Sequence, residues 1–133
     1  MKNKDVQYIN DISYGYWKAQ ALFVASELDL FTFIGELGKS SKAIAKKYGT
    51  DPRATEMLLN ALVSLKLLTK SRDIFSNTAV SKRCLSKNGP AYQGDRIQHF
   101  HNMWDYWSGL GTAIKTGKPT AFYNAKKGVD KQR

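Results

Sequence analysis

Acidic residues are scarce in this chain: eleven Asp and Glu stand against twenty-one Lys and Arg, a formal net charge of +10 in 133 residues. Cysteine is scarcer still. The one thiol, Cys84, excludes an internal disulfide, permits a reducing compartment, and reads as a small side chain packed near a helix end. No apolar run approaches the roughly 18 to 20 residues that span a bilayer. The opening "MKNKDVQYINDIS" lacks the apolar centre of a secretion signal. A cytoplasmic protein with no membrane association is therefore expected. Aromatic residues, at 12%, are plentiful enough for packing, which argues against global disorder. The length suits one domain with a modest core.

The positive charge is unevenly distributed. Residues 1–4 carry +2, residues 5–40 carry −3, residues 41–87 carry +7, residues 88–114 carry −1 and residues 115–133 carry +5. The tail "KTGKPTAFYNAKKGVDKQR" reads as a solvated basic linker, so the domain is expected over residues 1–114 and a linker or tail over 115–133. The block at 41–87 is the one that could attract nucleic acid.

Periodicity predicts a mainly α chain. Asp11 is a candidate N-cap for a helix running to about Leu28. Ile12, Tyr16, Ala19 and Phe23 form one apolar stripe, and Trp17, Ala21, Val24 and Leu28 form a second. A helix apolar over most of its circumference needs cover on more than one side, which suggests a second chain. "LDLFTFIGELG" reads as a short helix or turn ended by Gly35 and Gly38. Ser41 is expected to cap "KAIAKKYG", with Ala43, Ile44 and Tyr48 facing inward and Gly49 as its stop. Thr50 or Asp51 then caps a helix with Pro52 in its favoured first position and Met57, Leu58, Ala61, Leu62 and Leu65 as its core stripe.

"LLTKS" and "DIFSN" pair as a hairpin about Arg72–Asp73, and Thr78 caps a short helix, "AVSKRCL". After the breaker "KNGP", residues 91–114 are expected to form one helix of roughly 36 Å. Ile97, Phe100, Trp104, Trp107, Gly111 and Ile114 line one of its faces, widened by Met103, Tyr106 and Leu110. Helix, helix and hairpin together predict a winged-helix-like domain with a small β-hairpin wing, flanked by long N- and C-terminal helices.

Motifs for chemistry are missing at useful spacing. Gly109-Leu110-Gly111 lies within a helical pattern rather than after a strand, which disqualifies it as a nucleotide loop. "GTAIKTGKPT" has five residues between its glycines where a phosphate loop needs four, and Pro119 stands at the hydroxyl position. His99 and His101 are two apart, on opposite sides of a helix, which excludes a shared metal. Asp95 and His99 share a face, where a local ion pair is the plainer reading. No catalytic group, cofactor site or metal site is expected here.

As a DNA reader the helix from Pro52 is indifferent. Its exposed polar residues are Arg53, Thr55, Glu56, Asn60 and Ser64, and a Glu at the reading end repels phosphate. Lysines outside this helix could hold a nucleic-acid backbone weakly but read little sequence. A winged-helix DNA-binding regulator is thus the rival reading, and specific nucleic acid is not the expected partner.

The segments "GYWKAQALFVASELDLFTFIG", "SSKAIAKKYGTDPRATEMLLNALVSLKLL" and "FSNTAVSKRCL", in that order, resemble the N-terminal dimerisation domain of small-molecule S-adenosylmethionine-dependent O-methyltransferases. This group includes the plant caffeate and flavonoid enzymes, acetylserotonin methyltransferase and bacterial relatives acting on antibiotics and pigments. The resemblance continues through Trp107, Leu110, Ala113, Ile114 and Gly117, covering roughly residues 12–120.

The resemblance implies helices that intertwine with those of a second subunit, hence a homodimer. It further implies that the domain caps the substrate pocket of a Rossmann-like catalytic domain that binds S-adenosylmethionine and methylates a hydroxyl of a small aromatic molecule. The family's cofactor loop, ribose-binding acid and catalytic histidine have no counterpart in this sequence. The chain is therefore expected to be one domain of a longer enzyme, inactive alone and binding no cofactor, and neither His99 nor His101 inherits the base. By the same resemblance, His101, Met103, Trp104, Tyr106 and Trp107 are candidates for the substrate-pocket wall. Ile12, Tyr16, Trp17, Phe23, Val24, Phe100, Trp104 and Trp107 are candidates for the dimer interface.

Overall fold

The computed structural model of the chain describes residues 2–119; the tail from Thr120 onward lies outside the described residues. The chain forms two compact units, Met1–Gln98 and a second from His99.

The first unit opens with α1 (Lys2–Ser13) and α2 (Gly15–Glu27). Asp11 lies inside α1 rather than capping a helix; the acid that suits the positive N-terminal end is Asp5, in the first turn. Tyr14 separates the two helices, yet its N–H still reaches the Asn10 carbonyl at 2.8 Å. The path is therefore nearly continuous. Asp29, at φ +57°, turns the chain into α3 (Leu30–Ile34), which ends at Gly35.

Next come the two-residue strand β1 (Lys39–Ser40), α4 (Ser41–Tyr48) and α5 (Pro52–Ser64). The cap of α4 is Ser40, one residue before the expected Ser41: its Oγ accepts from the Ala43 N–H at 3.1 Å. Ser40 wins because it still has the extended backbone of β1, as a capping residue requires. Gly49 ends α4 in the left-handed region at φ +64°. Asp51 caps α5 as anticipated, its Oδ2 accepting from Ala54 at 2.8 Å, with Pro52 opening the helix. At the far end the Leu67 N–H reaches the Leu62 carbonyl and the Lys66 N–H that of Val63, so that Lys66 takes the left-handed cap position at φ +61°.

Strands β2 (Leu68–Ser71) and β3 (Ile74–Asn77) pair antiparallel, with Ser71 opposite Ile74 across the two-residue turn Arg72–Asp73. β1 adds on the other side of β3, Lys39 opposite Phe75, giving the order β1-β3-β2. Gly38 makes this third strand possible. Its φ is +82°, and a Cβ there would sit 2.7 Å from both Ile74 Cγ2 and Ser76 Oγ. α6 (Ala79–Cys84) follows with Thr78 in the N-cap position; its hydroxyl accepts from no backbone N–H of the helix and instead reaches the Leu67 carbonyl at 3.1 Å and Ser81 Oγ at 3.3 Å.

The core joins α3, α4 and α5 to the sheet through Phe31, Ile34, Ile44, Leu59, Leu62 and Phe75, all essentially inaccessible. On α5 the buried line is Thr55, Leu59 and Leu62, whereas Met57 stands exposed. Of the expected stripe Leu62 is fully buried and Leu58, Ala61 and Leu65 are half-buried, so the buried line is turned from it by about a quarter turn. The hydroxyl of Thr55 goes inward because it is satisfied locally, donating to the Asp51 carbonyl at 2.7 Å and meeting Thr50 Oγ1 at 2.6 Å.

The expected single helix over 91–114 is instead three: α7 (Gly94–Asn102), α8 (Trp104–Trp107) and α9 (Leu110–Thr116). The breaks fall at Met103 and at Ser108–Gly109. Ser108 Oγ donates to the Asp105 carbonyl, and the Gly109 N–H reaches back only three residues, to Tyr106. A hydroxyl competing for backbone carbonyls next to a glycine is poor helix interior.

Candidate functional site

Two surfaces and one cleft stand out. The first surface runs along α1 and the start of α2. Val6, Tyr8 and Ile9 are exposed, Ile12 is 65% and Tyr16 61% exposed, and Trp17 is half-buried. Val24 lies further along α2, at the edge of exposure. Phe23, by contrast, is only 9% exposed and belongs to this unit's own core. A 12-residue helix with almost no cover is marginal in water, and single exposed apolar residues are ordinary while a contiguous patch marks an interaction surface.

A cleft of about 160 Å³ lies in the same unit, lined by Val24, Leu28, Ile44, Tyr48, Leu58 and Leu59 among others. Thr50 and Thr55, at its edge, already hold each other. Tyr48, whose ring meets Phe33 edge-on at 5.8 Å, has its hydroxyl pKa raised by burial and, secondarily, by the nearby Asp29 carboxylate. A smaller polar hollow of about 110 Å³ involves Gly35, Glu36, Asn77, Lys82, Ser86 and Asn88. There Lys82 pairs with Glu36 at 3.3 Å, and the Asn77 amide donates to the Phe31 and Gly35 carbonyls at 2.9 and 3.2 Å.

The second surface belongs to the second unit. Phe100, Leu110 and Ile114 are exposed, and Trp107 is 67% exposed; His101, Met103, Trp104 and Tyr106 are half-buried. Of the candidate pocket and interface residues, those on α1–α2 and those from Phe100 onward thus fall in separate units. Val6, Tyr8 and Ile9 were not among the candidates, because the helix expected to start after Asp11 begins instead at Lys2.

The polar face of α5 is occupied by its own hairpin. Lys70 on β2 lies 3.4 Å from the Glu56 carboxylate and 3.5 Å from Asn60 Oδ1. Two side chains that could have faced bases are thereby engaged inside the domain. Elsewhere Lys39 and Lys47 sit 5.4 and 5.7 Å from the Phe33 ring centroid.

Among the described residues no three His, Cys, Asp or Glu side chains gather as a metal site would require, and no helix is long and apolar enough to cross a membrane. Nor do those residues fit S-adenosylmethionine. Its adenosyl group needs a glycine-rich turn after a strand with an acid beyond it. Here the strands are two to four residues long, β2 and β3 meet in the tight Arg72–Asp73 turn, and Gly109 precedes α9 rather than following a strand.

Residues 10–87 match the family model of the O-methyltransferase dimerisation domain. Bovine acetylserotonin O-methyltransferase is 29% identical over 117 residues, which cover 83% of this chain and 34% of that enzyme. The tetracenomycin polyketide synthesis 8-O-methyl transferase of Streptomyces glaucescens is also 29% identical, over 83% of this chain and 33% of its own. Among solved structures, human N-acetylserotonin methyltransferase in complex with SAM superposes with a TM-score of 0.77 at 28% identity, over 86% of this chain and 35% of that one. An O-methyltransferase family protein from Burkholderia thailandensis gives 0.75 at 31% identity, over 85% and 34%. The chain spans about a third of the length of these relatives.

Proposed function

We propose, on the premise that this chain belongs to the O-methyltransferase dimerisation-domain family, that it is the dimerising and substrate-capping part of an S-adenosylmethionine-dependent O-methyltransferase. In this reading α3 to α6 with the hairpin form a winged-helix-like scaffold, and the helices on either side of it intertwine with those of a second copy. The single observation that carries the reading is the apolar face of α1–α2, from Val6 to Tyr16, left exposed by the chain's own fold within and beside the matched segment.

Methyl transfer belongs to a catalytic domain that supplies the cofactor site and a general base for the acceptor hydroxyl. The contribution of this chain is to wall the acceptor's pocket with His101, Met103, Trp104, Tyr106 and Trp107, excluding water and orienting a small aromatic molecule. Residues 115–133 then act as a basic linker, with those from 120 onward outside the described residues. The protein works in the cytoplasm, without membrane or specific nucleic-acid partners.

Light scattering and sedimentation of the 133-residue chain should show a dimer at micromolar concentration. A well-folded monomer that persists there would refute the reading. In a salt series, a labelled duplex should bind weakly and lose that binding as salt rises. Sequence-dependent binding that survives physiological salt would favour a regulator instead.

A further inference from the structure

Asn77 is 7% exposed, yet only half of its amide is used. The nitrogen donates to the Phe31 and Gly35 carbonyls, while Oδ1 is buried and receives no hydrogen bond from the protein. Exchanging the two ends of the amide would not help, because Oδ1 would then face those same carbonyls. The orphaned acceptor is therefore a property of the fold. Ser86 has the opposite need. It is 6% exposed, its Oγ accepts from the Asn88 N–H at 3.2 Å, and among the described residues nothing accepts its hydroxyl proton.

Both side chains line the polar hollow of about 110 Å³, together with Gly35, Glu36, Lys82 and Asn88. An occupant that satisfies them must donate to Asn77 Oδ1 and accept from the Ser86 hydroxyl. A simple anion cannot donate and a metal cation cannot accept. Lys82 and Glu36, paired at 3.3 Å, already neutralise each other there, so the hollow does not call for a charge. A neutral group that both donates and accepts remains, and water is the smallest. One water takes about 30 Å³ of liquid, and buried waters settle where two to four such polar partners converge.

We infer that the hollow is a hydration site, holding one ordered water that donates to Asn77 Oδ1 and accepts from Ser86 Oγ. Gly35 and Glu36, in the same lining, offer acceptors for its second proton. The water links β3 to the turn after α6, adding a third segment to the tie that Asn77 makes with α3. Immobilising the water costs it freedom, so it offsets the burial of Oδ1 rather than strengthening that tie by much.

A crystal structure of the whole chain should show a water within about 3.2 Å of both Asn77 Oδ1 and Ser86 Oγ. The Lys82 ammonium on Oδ1, an ion or larger solute there, or no atom bridging the two would overturn the assignment. In solution, oxygen-17 relaxation dispersion counts waters held longer than the protein's tumbling time. Ser86→Ala, with circular dichroism matching the unaltered chain, should hold one fewer per chain, while Asn60→Ala should hold the same number. A count that Ser86→Ala leaves unchanged would overturn the site. If Ser86→Ala does not fold, the crystallographic result decides.

Discussion

Asn77 offers the most direct test of how the first unit is held together. Its side chain is 7% exposed, and its amide nitrogen donates to the carbonyls of Phe31 and Gly35, 46 and 42 residues earlier. The first belongs to α3 and the second to its C-cap, Gly35, whose carbonyl lies past the helix's own ladder. Asn77→Ala removes both bonds, each contributing about 1 kcal/mol net. The Phe31 carbonyl keeps a second donor, the Gly35 N–H at 3.3 Å, so the orphaned acceptor is mainly that of Gly35. Against this, Asn77 Oδ1 is buried without a hydrogen bond, and removing it relieves part of the loss. The net destabilisation should be about 2 kcal/mol. With a urea m-value of about 1.5 kcal/mol/M, the midpoint should fall by roughly 1.3 M with the slope unchanged. Measurements belong at one fixed protein concentration, because any dimer adds to apparent stability. Asn60→Ala, at an exposed amide, is the control and should stay within about 0.5 kcal/mol. Asn77→Asp should cost more than Asn77→Ala at neutral pH, because a carboxylate oxygen would then face the Phe31 and Gly35 carbonyls. If Asn77→Ala unfolds at the midpoint of the unaltered chain, the α3–β3 tie is not a determinant of stability.

Three further expectations concern single residues. Gly49→Ala should cost about 1 kcal/mol from the left-handed backbone alone, since nothing lies within 4 Å of the added methyl. Gly38→Ala should cost clearly more, because its methyl also meets Ile74, Ser76 and the Phe75 carbonyl; equal losses in urea titration would show that β1 does not need this close approach. Burial and the Asp29 carboxylate raise the Tyr48 hydroxyl pKa above its ordinary 10.0. Its contribution is therefore complete below pH 10 and is lost as pH rises through the higher folded value. Tyr48→Phe should flatten the alkaline fall in stability; an unchanged alkaline limb would mean that other groups cause it.

How far the fold was legible depended on how local its causes are. Asp51, Pro52 and Gly49 announce the ends of α4 and α5 because caps and stops act within one helical turn. The hairpin about Arg72–Asp73 was equally readable. β1 was not, since two residues carry no periodicity and pair only with β3, more than thirty positions away. On α5, Met57 and Leu59 are equally apolar in a list of residues; packing against α4 and β2 decided that Leu59 goes inside. The breaks at Met103 and Ser108–Gly109 carried a faint signal, one serine and one glycine, overridden in the reading by a long apolar stripe.

The candidate surface was partly legible in the same sense. Excess apolar residues between Ile12 and Leu28 led to the expectation of a surface that the chain's own fold leaves exposed, and Ile12 and Tyr16 are exposed. Which of them stay outside was a tertiary matter: Phe23 entered the core while Ile12 and Tyr16, on the same stripe, did not.

By itself, then, the sequence determined a basic, mainly helical domain, most of its helix ends, its hairpin, and its lack of the residue patterns for cofactor or metal chemistry. These follow from short-range backbone sterics, capping hydrogen bonds and composition. Tertiary structure alone decided the phase of α5, the third strand and the Asn77 tie to α3. It also decided that Ile9, Ile12 and Tyr16 stay exposed on α1–α2 and that a cleft opens beside Val24. Those features depend on contacts between residues tens of positions apart, whose energies no local pattern records.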